Sequence, residues 1–377
     1  MKPSRVTSAL AFALAVLLSG CEDSPAGPER YTEAPAAAAQ AYRGAYGASY
    51  TFEAAVFDIA ATPDGSILVA QNTTVKEIDR KGHVGEVITV PTVAGSPING
   101  LEAIGRRSFF ATSGGLDAAV GAGLWRVSEG VARKVVDIEA FEQTHDPDVS
   151  VWKDARCEEP EFTAGPQSNP YHLAALSGSE ALVADAAGNA LLWGKSNGVV
   201  DGVAVLTPPT DESGDYRVLK TLADGTDCYV QPVPTSVAIG PDGAYYVGEL
   251  TGATAEGLPV GLSRVWRIGP GARNVVCPSA ACEVVISGMT SVIDLAFGPD
   301  GKLYVLEYDE NSWLAPFIPS VPLGGGTINR CDVGTGRCDA VVQGLTLPGA
   351  ITFDKWGDLW IVENNITAPT VHRVNLR

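Results

Sequence analysis

One hairpin recurs along this chain, and that recurrence constrains the fold more than any other feature. In residues 237–249, V-A-I-G-P-D-G-A-Y-Y-V-G-E, Val237, Ala238 and Ile239 form a short apolar strand. Pro241-Asp242-Gly243 then makes a turn, and residues 244–247 form a second strand. Proline presets φ in such a turn, and glycine opens the positive-φ region that closes it. Related hairpins lie at 59–69 around Gly65, 101–111 around Gly105, 173–183 around Gly178, 295–305 around Gly301 and 351–361 around Gly357. A third strand-like run follows each, at 75–79, 123–127, 190–194, 264–268, 327–331 and 371–374, and a fourth follows most. Six units of antiparallel strands spaced 40 to 73 residues apart predict an all-β six-bladed β-propeller with four strands per blade. A β-sandwich has no reason to repeat one hairpin six times.

The last unit ends soon after its third strand, whereas residues 48–54, A-S-Y-T-F-E-A, are β-prone and belong to no unit. They are predicted to supply the missing outer strand and close the ring, hiding a sheet edge. Strand direction then sorts the connections. The P-D-G turns fall on one face, and the long insertions at 139–169, 207–234, 250–263 and 309–326 fall on the other. Connections of that length are usually functional or disordered, which makes the long-loop face the expected binding face.

The second strands end in a repeated acid, Asp185, Glu249, Glu307 and Glu363, with Gln71 at the same place in the first unit. Such a carboxylate can accept backbone N–H groups from the next blade's incoming loop, or it can help to ligate a cation at the channel mouth. Asn99, Asn169 and Asp294 stand at the starts of channel-lining strands, where oxygen donors suit calcium but also cap turns. The four histidines show no mutual spacing; His172 enters a channel strand after Tyr171, a position read as packing. No G-x-S-x-G, H-E-x-x-H or phosphate-cradling glycine loop is present. The loop at 311–323, with Trp313 and Phe317, is apolar for a connection, so it is either a packed lid or a contact patch. Candidate ligand-binding residues are therefore Asn169, Tyr171, Glu249, Glu307, Glu363, Trp313 and Phe317.

Lys2 and Arg5, an apolar run at 9–18 and Leu18-Ser19-Gly20-Cys21 read as a bacterial lipoprotein signal over residues 1–20, with Cys21 lipidated. Residues 21–40, rich in proline and alanine, read as a flexible tether, and 41–377 as the propeller. This predicts an exported protein, periplasmic or at the cell surface, that meets the membrane only through its lipid. Loss of Lys2 and Arg5 takes the net charge from −18 to −20, which argues against nucleic acid as a partner. Of seven cysteines, six remain beside Cys21, an even number suited to export. The spacing predicts Cys277 with Cys282 and Cys331 with Cys338 as turn staples, leaving Cys157 to pair with Cys228.

Ser168-Asn169-Pro170-Tyr171, Leu182-Val183-Ala184-Asp185-Ala186 with Gly188-Asn189, and Val233-Pro234-Thr235-Ser236-Val237 with Gly248-Glu249-Leu250-Thr251-Gly252 resemble the ScyD/ScyE family. That family is similar to NHL-type propellers. The resemblance runs from about residue 52 to the C-terminus and implies a six-bladed propeller with no established reaction. Two functions follow as expectations. The first is a lipid-anchored binding or scaffold module that holds a protein, glycan or small molecule on its long-loop face. The second is a calcium-assisted hydrolase or lactonase of the six-bladed type.

Overall fold

The computed structural model describes residues 47–93, 96–114, 121–152, 166–254 and 257–376. The segments read from sequence as a lipoprotein signal and tether, with Cys21, and Cys157 of the expected Cys157–Cys228 pair lie outside the described residues. Strand β1 (Ser49–Thr51) is followed by blade one, β2 to β5 (Val56–Ala61, Ile67–Gln71, Thr74–Ile78, Val84–Thr89). Blade two is β6 to β9 (Ile98–Gly105, Ser108–Ser113, Gly123–Ser128, Val131–Asp137), and helix α1 (Ile138–His145) follows it. Blade three is β10 to β13 (Pro170–Ser177, Glu180–Asp185, Ala190–Lys195, Val200–Val205). A hairpin insertion, β14 (Val218–Thr221) and β15 (Asp227–Tyr229), precedes blade four. That blade comprises β16 (Pro234–Ile239), β17 (Tyr245–Glu249), β18 (Ser263–Ile268) and β20 (Cys282–Met289), with β19 (Val275–Val276) between the last two. Blade five is β21 to β24 (Val292–Phe297, Leu303–Glu307, Gly326–Asp332, Arg337–Leu345), and blade six is β25 to β27 (Ala350–Phe353, Leu359–Glu363, Thr370–Val374) completed by β1.

The protein is thus an all-β six-bladed propeller, and its ends meet as the sequence predicts. Strand β1 pairs antiparallel with β27, Tyr50 opposite Val371, and the Phe52 N–H donates to the Pro369 carbonyl at 2.8 Å. The apolar core is divided among six clusters, each lying in the seam between two neighbouring blades. A blade buries both faces only with a neighbour on each side, so the ring has to close to leave no seam wet.

Two features depart from the sequence reading. Residues 138–145, read as part of a long loop, form α1, with Asp137 Oδ1 accepting from the Ala140 N–H at 3.0 Å as its N-cap. Strand β19 leaves blade four and pairs parallel with β13, giving blade three a fifth strand. The Cys277–Cys282 disulfide brackets the tight turn at 279–282, as its spacing predicts, where the chain returns from blade three's edge to β20. Cys331–Cys338 joins directly opposed residues of β23 and β24, and Cys228 is buried and disulfide-bonded.

The P-D-G turns have a local cause. Asp242 and Asp300 each accept a backbone N–H two residues on, from Ala244 and Lys302, which holds the turn. Each also takes an arginine from the blade's third strand, Arg267 at 2.7 Å and Arg330 at 2.6 Å. These charges lie on the surface of the turn face and leave the opposite face to the longer insertions.

Candidate functional site: the central channel

The inner strands β2, β6, β10, β16, β21 and β25 pack on one another in a ring. Register against the second strands puts Asp58, Gly100, His172, Ser236, Asp294 and Ala350 at one level of this ring. Blades one, three and five contribute the ionisable side chains, whereas blades two, four and six contribute small residues. In five of the six blades the pairing slips just before or at this level, between Val56 and Asp58, Ile98 and Gly100, Pro170 and Leu173, Pro234 and Ser236, and Val292 and Asp294. A β-bulge increases local twist and re-aims a side chain. The consequence here is that residues of non-adjacent blades meet across the axis.

His172 Nε2 lies 3.2 Å from Asp58 Oδ2 and 3.4 Å from Asp294 Oδ1. Both aspartates are fully buried, and the histidine side chain is 13% exposed. Buried carboxylates need donors, and the backbone supplies them. Asp58 accepts from the N–H groups of Ile59 at 2.7 Å and Leu101 at 2.5 Å. Asp294 accepts from Leu295 at 2.7 Å and Ile351 at 2.8 Å. Each aspartate therefore also ties its own blade to the next one. Gly100 permits the close packing beside them: a Cβ there would stand 2.7 Å from the Tyr171 carbonyl oxygen and 3.0 Å from the His172 Cα, displacing the bulge that carries the histidine.

Two residues further along the inner strands come Ala60, Glu102, Ala174, Ala238, Ala296 and Thr352, so Glu102 is the one long side chain at a level of small ones. Burial pushes the Glu102 carboxyl up to about 7, against the pull of His172 and with the help of Asp58 and Asp294. Burial alone would disfavour the imidazolium of His172, but Asp58 and Asp294 outweigh it and carry its pKa to about 10. Asp294 is raised by burial and by the Asp58 charge, with His172 opposing. The channel thus concentrates negative charge around one histidine.

Three of the four acids that end the second strands bind backbone, and they bind it within their own blade rather than in the next. Asp185 accepts from the Asn169 N–H at 2.7 Å, Glu307 from Thr290 at 2.5 Å and Glu363 from Thr346 at 2.8 Å. Each donor lies on the segment leading into that blade's inner strand. At the corresponding place in blade four stands Pro232, which has no N–H, and Glu249 turns to side chains instead. It takes Arg264 at 2.7 and 2.8 Å and the Trp266 indole at 2.5 Å.

Glu307 carries a pH signature. Burial raises its pKa to about 7, against the Thr290 N–H and the Asn329 amide, which donates to Oε2 at 2.5 Å. A folded value above the unfolded 4.5 means that the folded state binds the proton more tightly. Its contribution to stability is then full below about 4.5 and is lost as pH rises through 7. Glu307→Gln should flatten this part of the pH–stability curve, by on the order of 3 kcal/mol between those limits at about 1.4 kcal/mol per unit. Urea unfolding across pH 4.5 to 8 (roughly the span of that titration) checks it, and parallel curves for variant and parent would refute it.

The remaining sequence candidates separate into groups. Asn99 and Asn169 come together, the Asn99 amide donating to Asn169 Oδ1 at 3.1 Å and to the Pro170 carbonyl at 3.2 Å. Asp294, grouped with them as an oxygen donor set, joins Asp58 and His172 instead. Tyr171 occupies the β10 bulge next to His172 and packs half-buried against the seam of blades five and six. Trp313 is half-buried, its indole donating to the Thr251 carbonyl at 2.9 Å, and Phe317 ends a short 3₁₀ turn (Ala315–Phe317), also half-buried. Asp58 and Glu102 were not singled out from sequence. Asp58 and Asp294 both stand seven residues before their turn glycines, an offset that aligning the repeats would have exposed.

No protein-family model and no curated protein matches the chain. Among solved structures, the fold resembles a gluconolactonase from Xanthomonas campestris, with a TM-score of 0.53 at 12% identity over 86% of this chain and 88% of that one. A virginiamycin B lyase from Staphylococcus aureus aligns with a TM-score of 0.48 at 12% identity, over 87% and 99% of the two chains. At such identities the likeness is one of fold alone.

Proposed function

We propose that this chain is a lipid-tethered extracytoplasmic binding module that takes a positively charged ligand through the long-loop mouth of its central channel. The observation that carries the reading is the composition of the six inner strands. They hold Asp58, Glu102, Asp294 and His172, and not one lysine or arginine. Three carboxyls against one histidine leave an acidic excess, and a cleft of one net sign between low-dielectric walls concentrates ions of the other sign. The lipoprotein signal, the disulfides and the ScyD/ScyE resemblance support placement outside the cytoplasm in a propeller without an established reaction. Asn169 and Tyr171 adjoin the channel level on the side of the long loops, where a ligand would first meet side chains.

The test is calorimetric titration with spermidine as an organic cation and with divalent metal salts, on the parent protein and on Asp58→Asn/Asp294→Asn. Binding by the parent that weakens at least about tenfold (1.4 kcal/mol) in the variant supports the reading. Equal binding by both, or none of either probe, overturns it. The second reading, a hydrolase or lactonase, draws on Glu102, a lone carboxyl at a level of small residues where a substrate would have room. Its measure is gluconolactone hydrolysis by the parent against Glu102→Gln.

A further inference from the structure

Resting on that reading, we propose that Asp58, His172 and Asp294 form a three-donor site for a divalent cation of the zinc or cobalt class, rather than for calcium. The three offer two carboxylate oxygens and, once the cation displaces its proton, one imidazole nitrogen, all within 4.8 Å of one another and drawn from three non-adjacent blades. A zinc-class ion binds such donors at about 2.0 to 2.2 Å, which sets neighbouring donors about 3.0 to 3.4 Å apart at octahedral to tetrahedral angles. The observed separations from Nε2 are 3.2 and 3.4 Å. Calcium takes six to eight oxygens, roughly twice what this set can offer. At this level of the ring Gly100 and Ala350 bring no polar side chain and Ser236 only one hydroxyl. An imidazole beside carboxylates belongs instead to borderline cations.

The surroundings suit a held ion. The carboxylates are fixed by four backbone N–H bonds from Ile59, Leu101, Leu295 and Ile351, an outer shell that orients donors before any cation arrives. The small residues of blades four and six leave coordination positions for water or a ligand oxygen. Ser236 Oγ, fully buried and without a hydrogen-bond partner, stands at the same level of the ring.

Cobalt(II) is the probe. The metal-stripped, tag-free protein should bind one equivalent, develop visible d–d absorption, and lose it to zinc but not to excess calcium. Asp58→Asn/Asp294→Asn should abolish the absorption. Should that variant not fold, the parent alone decides the question. With ¹⁵N-labelled histidine, zinc should shift the ring nitrogens of His172 and leave His83, His145 and His372 unmoved. A shift at another histidine, no shift at all, or displacement of cobalt by calcium overturns the proposal. A protein that holds spermidine but no metal overturns this inference and leaves the cation-binding reading standing, whereas one that takes neither removes both.

Discussion

Deleting residues 41–54 should lower the melting temperature of the propeller by about 10 °C or more, at roughly 2 to 4 °C per kcal/mol for a large domain. The deletion removes β1 and leaves β27 as a bare sheet edge. It also removes Phe52, 4% exposed and packed with Val56, Ile67, Val362 and Val371 in the seam between blades six and one. Truncating one buried phenylalanine to alanine costs about 3 to 5 kcal/mol, so Phe52→Ala should reproduce roughly half of the effect while keeping the strand. The stacking of Tyr50 on Trp360 and the bond from the Gly47 N–H to the Arg373 carbonyl at 2.9 Å are lost only in the deletion. Differential scanning calorimetry of the two proteins and the parent checks the order. An unchanged melting temperature after deletion would show that β1 does not close the ring.

Arg264→Met should destabilise the protein by about 3 to 5 kcal/mol above neutral pH, the range for removing one partner of a buried ion pair. Glu249 is fully buried and Arg264 nearly so, and the guanidinium also donates to the Thr207 carbonyl at 2.7 Å and lies over the Trp266 ring. Burial raises the Glu249 pKa and Arg264 opposes the rise. Without the arginine the folded value climbs further above the unfolded one. The deficit is then greatest at high pH and narrows as the carboxyl takes up its proton at acid pH. Glu249→Gln added to Arg264→Met should recover part of the loss at pH 8 (about neutral or above in the linkage argument) and none at low pH. Urea unfolding of the three variants at the two pH values gives the comparison, and a deficit independent of pH would show that lost packing, not an unpaired acid, is its cause.

The physical basis of both variants differs in how far it was legible in the sequence. Residues 48–54 announced themselves, because a β-prone run outside any repeat and a sixth repeat one strand short are both local patterns. The role of Arg264 did not, because it follows from an absent N–H at Pro232, visible only once the other blades show what that N–H does. Helix α1 had a signal, Asp137 as a cap with Ile138 and Phe141 one turn apart, but it lay inside a segment judged by its length. Strand β19 had none: two valines pair with another blade's edge for reasons of position alone.

By itself the sequence determined the blade count, the turn face, the closing strand and the two short disulfides, since each shows as a local pattern: a repeated hairpin, a short cysteine spacing, or a β-prone run left over beside a repeat one strand short. What the tertiary structure alone decided is the channel. Asp58, His172 and Asp294 are separated by more than a hundred residues at each step, and although Asp58 and Asp294 share a position in the repeat, nothing in that repeat points to His172. They meet because the bulges of three alternate blades turn them toward one axis, and because Gly100 lets the backbone that carries His172 come close. A side chain that reads as a strand-start acid or a packed histidine becomes part of a charged cluster only when the ring closes around it.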